Sequence, residues 1–352
     1  MKRQSILIFG DMYPHIVHGI SISNKLNFNL LKVDFDVFCV EESIILDNHN
    51  KLSTSKFTNN IYNCFKIYKT NKKKSFNFYY STFHLSLLGS IKTLIALYVF
   101  KLSGEGIRVL HIHRGDFDLF YNKSFINKFI CKLIFSNINK LIVLSHSQLI
   151  YFNKFINSNY IYILENSLLS EYPLQIKSCE GIRFLYLSNY TKEKGILDLL
   201  EVFDRITATP NEIILECYGG FIDGSISEII LQYSSDRISI NGTVFDADKF
   251  EVISKSDCLV FPSWNEGQPI VILEAMSQGL IIITTKVGLI SEMLGDDYPF
   301  YFEPNNPGSL ESCVKKYLLY KFKNELSLTL KERYEGKYSQ SKHNKQLLKV
   351  FK

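Results

Sequence analysis

The chain has 352 residues, of which 46% are hydrophobic and 21% are charged, and a formal net charge of +5. This length and balance are typical of two or three folded domains and exclude a disordered chain. The seven cysteines include no C-x-x-C pair, which argues against a zinc site or a disulfide framework and for a reduced compartment. The apolar run at residues 6–9 is too short for a signal peptide, so we expect a cytoplasmic protein.

The charge is unevenly distributed along the chain. Residues 1–167 carry 20 Lys and Arg against 10 Asp and Glu, whereas residues 168–335 carry 15 against 25. A cationic first part predicts an anionic surface as its partner. Because no nucleic-acid recognition motif accompanies this charge, nucleic acid is not an expected partner.

The first part of the chain shows alternating strand and helix patterns. Strands are predicted at residues 5–10, 36–40, 108–113, 140–144 and 160–164. A loop at 11–21 precedes a helix at 22–31, and residues 41–60 are predicted to be irregular. Polar residues interrupt the apolar stretch 85–102, which therefore predicts a buried crossover helix and not a membrane span. The rhythm favours one parallel, doubly wound sheet.

A cationic run at residues 69–74 is followed by a cluster of rings. The rings belong to Phe76, Phe78, Tyr79, Tyr80 and Phe83. Lysines meet anionic headgroups and rings sit at a membrane interface, so this segment predicts contact with a membrane surface. The alternative is a solvated loop beside the edge of a core.

Two histidines stand near the end of the strand at 108–113. Alternation places His111 and His113 on one face of the sheet, with Ile112 opposite. The carboxyl ends of such strands form the ligand edge of an open α/β sheet. Hydrogen-bonded scaffolding and a metal pair remain alternatives, but no third ligand is evident, so no metal site is predicted.

The second part of the chain repeats the alternation of strand and helix patterns more regularly. Strands are predicted at residues 183–187, 213–218, 238–240, 257–261 and 280–284, after a linker at 166–181. The loop 188–195 is cationic, and Lys194 in it is suited either to clamp a phosphate or simply to be solvated. The sequence contains neither a G-x-G-x-x-G nor a Walker A pattern, which weakens the alternatives of a dehydrogenase and an NTPase. The basic tail 338–352 has helical spacing.

Residues 261–279 predict a strand end, a loop and a helix. Glu266 lies in the loop, and Glu274 follows eight positions later in the helix. Pro269 suits the first helical turn, and Gly279 stops the helix. The free amides at the helix N-terminus attract anions, so a phosphate-bearing ligand is expected there. Considered alone, the two acids favour an ordinary interpretation, with one solvated in a surface loop and the other at an ordinary helical position.

The whole block resembles a known signature. Glu-Gly-x-Pro, then Glu-Ala-Met at the second acid, Gly279 and an apolar strand resemble the E-x7-E signature of retaining GT-B glycosyltransferases of family 4. The resemblance implies an α/β GT-B fold, in which two Rossmann-like, doubly wound parallel-sheet domains face a cleft. These would be an acceptor-side domain at 1–167 and a nucleotide-sugar domain at 168–335. A helix at 336–352 would cross back to the first domain.

The resemblance also implies the roles of individual residues. Glu274 would hold the ribose hydroxyls of the donor, and Lys194, in Glu193-Lys194-Gly195, would bind its phosphates. The implied catalytic residues are Lys194, Glu266 and His113, the last two facing the donor sugar. The implied donor-binding residues are Gly19, Asn189, Lys194, Val244 with Phe245 at the base, Glu266, Gly267, Gln268, Pro269, Ile270 and Glu274. The family commonly has Gly-Arg at Ser188-Asn189, so Asn189 brings no charge here.

The implied activity is sugar transfer with retention and without a cofactor or metal. The donor would be a UDP- or GDP-sugar, and the acceptor a glycan or lipid-linked glycan in bacterial surface polysaccharide synthesis, such as O-antigen or capsule. The enzyme would work in the cytoplasm or at the cytoplasmic face of the membrane. The alternatives are a non-catalytic sugar-nucleotide-binding subunit of an assembly complex and a GT-B epimerase, which would place extra acids beside the anomeric carbon.

Overall fold

The computed structural model describes residues 3–42, 54–170, 181–206, 213–222 and 224–352. The chain divides into two compact units, Met1–Leu169 with Gln340–Lys352, and Ser170–Ser339. The second unit therefore starts at residue 170 and the returning segment at 340, where the sequence predicted 168 and 336.

The elements of the described residues follow in chain order. The strands are β1 (Ser5–Gly10), β2 (Asp36–Glu41), β3 (Asn77–Tyr80), β4 (Arg108–His111), β5 (Lys140–Val143), β6 (Ile161–Ile163), β7 (Ile182–Leu187), β8 (Ile213–Tyr218), β9 (Ile238–Asn241), β10 (Cys258–Phe261), β11 (Ile281–Thr285) and β12 (Tyr301–Phe302). The helices are α1 (Gly19–Asp34), α2 (Thr54–Lys73), α3 (Leu87–Ser103), α4 (Phe117–Asn122), α5 (Phe125–Ser136), α6 (His146–Phe152), α7 (Ile196–Arg205), α8 (Gly224–Gln232), α9 (Asp246–Lys255), α10 (Ile270–Gln278), α11 (Ile290–Leu294), α12 (Pro307–Leu319), α13 (Lys323–Arg333) and α14 (Gln340–Phe351).

The first unit is a parallel sheet with helices on both faces. Its strand order is β2-β1-β3-β4-β5-β6, and every neighbouring pair is parallel. Leu7 and Phe9 of β1 pack with α2, α3 and α5, whereas Ile6 and Ile8 pack with α1 and α14. This burial on both faces explains why β1 is a continuous apolar run. The predicted doubly wound parallel sheet is confirmed.

The prediction that the rings of residues 76–83 meet a membrane is wrong. Each of these five rings is at most 4% exposed. Phe78, Tyr79 and Tyr80 belong to β3, which lies between β1 and β4, so their side chains fill the cores on both faces of the sheet. The preceding lysines are not in a loop either, because α2 continues to Lys73.

Three other predicted segments need correction. Residues 54–60 are helical and not irregular, since they open α2, while residues 43–53 lie outside the described residues. Helix α1 begins at Gly19, three residues before the predicted start. Helix α3 is not fully buried, because Leu102 is 73% exposed. Of the predicted linker, residues 171–180 also lie outside the described part.

The second unit is a second parallel sheet, in the order β12-β11-β10-β7-β8-β9. Because all pairs are parallel, the loops that follow the strands emerge at one edge. The chain order reverses between β7 and β10, and ligands of open α/β sheets bind at such a switch point. None of the helices in the described ranges is both long and apolar enough to cross a bilayer.

Candidate active site

Lys194 and Glu266 meet at the switch point of the second sheet. Lys194 lies in the short turn between β7 and α7, and Glu266 lies in the loop between β10 and α10. Lys194 Nζ is 2.5 Å from Glu266 Oε1, and the glutamate side chain is 11% exposed. The structure thus brings together two residues, 72 positions apart, that the sequence assigned to one site.

Two glycines shape the loop that carries Glu266. Gly195 has a φ of +70°, and a Cβ there would lie 2.2 Å from the Pro262 carbonyl oxygen. Gly288 has a φ of +60°, and a Cβ there would lie 2.1 Å from the Glu266 carbonyl oxygen. Both positions therefore need glycine for its left-handed backbone and for the close approach. The loop is therefore in close contact with the turn after β7 on one side and with the segment after β11 on the other.

Hydrogen bonds hold the same loop in place. The Trp264 amide donates to the Glu193 carbonyl at 2.8 Å. The hydroxyl of Thr285 donates to the Ser263 carbonyl at 2.7 Å. The amide of Leu289 donates to the Gly267 carbonyl at 2.9 Å. Because three neighbouring segments contact it, the loop gives Glu266 a fixed position.

We expect Gly195→Ala to lower the free energy of unfolding by about 2–3 kcal/mol, because the methyl group meets a backbone oxygen and the left-handed backbone is strained. Urea unfolding measures this. The matched control is Gly224→Ala at the start of α8, where an added Cβ has no neighbour within 4 Å. Equal stability of the two variants would contradict the packing described for Gly195.

Glu274 is buried on α10 and is paired with a lysine. The residue is 6% exposed. Lys249 Nζ of α9 lies 2.7 Å from its Oε1 and 2.6 Å from its Oε2. Helix α10 ends at Gln278 with Gly279 as its C-cap, as predicted, whereas Pro269 caps the helix and does not belong to its first turn. Lys249 was not among the predicted site residues.

The other predicted donor-binding residues of this unit lie at the same sheet edge, in loops or, for Ile270, at the start of a helix. Asn189 is exposed after β7, Val244 is half-buried after β9, and Phe245 is 44% exposed ahead of α9. A Cβ on Gly220 would lie 3.3 Å from both Asn189 Oδ1 and Thr243 Cγ2, so the loops after β7, β8 and β9 adjoin one another. Gln268 is buried, Gly267 is half-buried, and Ile270 opens α10.

Gly19 and His113 belong to the first unit. Gly19 is the first residue of α1 and follows the cap residue His18, whose Nδ1 accepts from the Ser21 amide at 3.1 Å. His113 lies two residues beyond β4 and is 7% exposed. Its ring centroid is 3.7 Å from that of His111, while Ile112 packs in the opposite core. The predicted alternation of these three residues is confirmed.

Comparison with known proteins finds a family that part of the chain resembles. Residues 181–319 match the model described as Glycosyl transferases group 1. This match lies within the second unit, which is therefore similar to that family. The match contains Lys194, Glu266 and Glu274 but neither Gly19 nor His113, so the roles of the last two depend on the earlier resemblance alone.

A curated relative and a solved structure also resemble the chain. A putative teichuronic acid biosynthesis glycosyltransferase, TuaC of Bacillus subtilis, is 24% identical over 133 residues, which are 38% of this chain and 32% of that protein. The chain thus spans about a third of the length of this relative. Sucrose-phosphate synthase of Thermosynechococcus elongatus superposes with a TM-score of 0.76 at 16% identity, over 99% of this chain and 98% of that chain.

A further structure is HepE of Anabaena, solved in complex with UDP-glucose. It superposes with a TM-score of 0.72 at 14% identity, over 98% of this chain and 99% of that chain. At these identities the superpositions show the fold alone. The predicted GT-B fold is confirmed.

The first unit also carries a buried acid that the sequence did not single out. Glu42 follows β2, and its Oε1 accepts from Tyr80 Oη at 3.0 Å and lies 2.9 Å from Lys92 Nζ. Burial raises the pKa of this carboxyl, but His84 and Lys92 outweigh burial and leave the pKa lowered. An acid after a strand is too common a pattern to predict such a cluster.

Burial lowers the pKa of His113 to about 3, from an ordinary value of 6.5, with smaller contributions from His18 and His343. The unfolded chain therefore binds this proton more readily, and we expect stability to fall as the pH drops below 6.5. The expected loss is ~1.4 kcal/mol per pH unit. Urea unfolding at pH 7 and pH 5 measures it. The loss should be smaller in His113→Asn, and an equal loss would contradict a neutral buried His113.

Proposed function

We propose that this protein is a glycosyltransferase that transfers a sugar, with retention, from a nucleoside diphosphate sugar to a glycan or lipid-linked glycan. The observation that carries the proposal is the meeting of Lys194 and Glu266 at the switch point of the second sheet. Glu274 lies close by in sequence on the helix that the same loop enters. A cation, a helix N-terminus and two ordered carboxylates suit a ligand that joins phosphates to hydroxyl-rich rings.

In this proposal the donor is bound by the second unit. The diphosphate binds the free backbone amides at the N-terminus of α10. Lys194 Nζ contacts the phosphate oxygens. Glu266 then accepts hydrogen bonds from the hydroxyls of the donor sugar. Glu274, kept beside Lys249 Nζ at 2.7 Å, accepts from the ribose hydroxyls. Val244 and Phe245 contact the base.

The chemistry follows from where charge develops. The bond between the anomeric carbon and the phosphate oxygen breaks, and the acceptor oxygen bonds to that carbon on the same face. The acceptor proton passes to the leaving phosphate oxygen. Lys194 and the α10 amides stabilise the growing negative charge of the diphosphate, so neither a side-chain nucleophile nor a metal is required.

The proposal also includes a cellular location and a pathway. We place the enzyme in the cytoplasm, in the synthesis of a bacterial surface polysaccharide such as O-antigen or capsule. The similarity to TuaC, a putative teichuronic acid biosynthesis glycosyltransferase, supports this setting. The UDP-glucose bound to HepE supports a UDP-sugar over a GDP-sugar.

A panel of UDP- and GDP-sugars tests the proposal. The matching donor should raise the melting temperature and release its nucleoside diphosphate slowly without an acceptor. Stabilisation without any release, with or without acceptor glycans, would favour the non-catalytic binding subunit. A donor returned with an epimerised sugar would favour the epimerase, and no response to any donor would contradict a sugar-nucleotide site.

A further inference from the structure

The outer sides of α2, α3 and α5 form a surface with an unusual composition. These helices adjoin one another on one face of the first sheet, and their inner sides pack into one core through Ile67, Leu97 and Ile134. A helix that covers a sheet normally turns polar residues outward. Here the outward sides carry large apolar residues interspersed with lysines, and we call them the apolar-cationic face.

Helix α3 shows the apolar part most clearly. Its exposed side carries Leu88, Ile91, Ile95, Tyr98 and Leu102, which are between 38% and 73% exposed. They recur at the helical spacing, so they form one continuous stripe. On α5, Phe125, Ile126 and Phe129 continue the surface at exposures of 83%, 56% and 54%. Apolar surface of this extent marks an interaction site.

Helix α2 adds a repeated pair of a ring and a lysine. Lys66 Nζ lies 4.9 Å from the ring centroid of Tyr62. Lys69 Nζ likewise lies 5.9 Å from the ring centroid of Phe65, and Lys72 Nζ lies 5.7 Å from that of Tyr68. All three rings are exposed. Each pair presents an apolar ring with an ammonium group beside it, the combination favoured at a bilayer interface.

The charge of the face identifies the partner. The sequences of α2, α3 and α5 contain no Asp or Glu. Lys73, Lys101, Lys128 and Lys132 are exposed on them in addition to the three lysines paired with rings. A second copy of this chain would bring like charges together, which disfavours a dimer through this face. An anionic surface complements it.

We propose that the apolar-cationic face lies on an anionic lipid bilayer. Its rings and aliphatic side chains enter the interface between headgroups and acyl chains, and its lysines contact the lipid phosphates. Without a spanning helix in the described residues, this binding is peripheral and reversible. The surface replaces the buried rings of residues 76–83 as the site of membrane contact. It would bring a lipid-linked acceptor to the enzyme, but it binds without donor or acceptor.

Flotation with vesicles tests the proposal. The protein should float with phosphatidylcholine vesicles that contain phosphatidylglycerol and stay behind with phosphatidylcholine alone. The combined variant Lys69→Gln, Lys72→Gln and Lys128→Gln should bind roughly a hundredfold more weakly, since each lysine contributes about fivefold. High salt should release the wild type, because the Debye length shrinks from ~10 Å at 0.1 M to ~3 Å at 1 M.

A second variant tests the apolar part. Ile95→Ser, Leu102→Ser and Phe129→Ser together should weaken flotation at least tenfold. The matched control changes three exposed apolar residues of the second unit, Leu319→Ser, Phe322→Ser and Leu328→Ser, and should float as the wild type does.

Three results would overturn the proposal: a wild type that stays behind with anionic vesicles, equal flotation of all variants, or a dimer in light scattering that the three serines dissociate. Glu274→Ala should still float, so loss of the proposed transferase function and loss of membrane binding are distinguishable.

Discussion

Lys194→Ala is expected to lower kcat by roughly 10²–10³-fold while changing donor affinity much less. The negative charge on the leaving diphosphate grows toward the transition state, and only stabilisation that grows with it raises the rate. The substitution also leaves Glu266, at 11% exposure, beside the diphosphate without the ammonium group that lies 2.5 Å from it. Steady-state kinetics with the matching donor measure both parameters.

The same turn offers a control for this prediction. Lys192 lies two residues earlier and is exposed. Lys192→Ala should therefore keep nearly wild-type kcat, although it removes the same charge from the same loop. A Lys194→Ala enzyme with wild-type kcat and only a raised KM would show that Lys194 binds the ground state alone.

Glu274→Ala is expected to weaken binding of the free nucleoside diphosphate about 10- to 100-fold. Losing a carboxylate that accepts from hydroxyls forfeits a charge-assisted hydrogen bond of roughly 1.5–3 kcal/mol. The substitution also removes the carboxylate beside Lys249, a lysine whose side chain is 20% exposed. Calorimetry with UDP and GDP measures the affinity.

The control for this second prediction is Glu251→Ala. Glu251 is an acid of α9 whose side chain is 52% exposed and which pairs with Lys255. The Glu251→Ala protein should bind the nucleotide as the wild type does. Unchanged affinity in a folded Glu274→Ala protein would remove Glu274 from the site.

Most strands of both sheets could be predicted because parallel strands buried on both faces are continuous apolar runs. The main failure was β3, a buried strand that the sequence analysis interpreted as a membrane-contacting segment. β3 has only four residues, all but Asn77 aromatic, and a cluster of rings after lysines equally matches an interface. Helix α2 was missed because its sequence is rich in Asn, Thr and Lys, and β12 because it has two residues.

The candidate site was predictable where its residues are close in sequence or belong to one motif. Glu266, Glu274 and Gly279 fall in one block, and Lys194 in a short cationic loop. Contacts with residues outside these motifs were not predictable: Lys249 contacts Glu274 only because α9 packs against α10. The approach of Gly288 to the Glu266 carbonyl likewise depends on the neighbouring positions of β10 and β11.

The stereochemistry of donor cleavage tests directly whether the protein is a retaining transferase. Proton NMR should follow the sugar that the enzyme releases from its matching nucleotide sugar in the absence of acceptor, before the free sugar mutarotates. We expect the first-formed anomer to have the configuration of the donor, and Lys194→Ala to release it far more slowly. First release of the opposite anomer would contradict a retaining transferase.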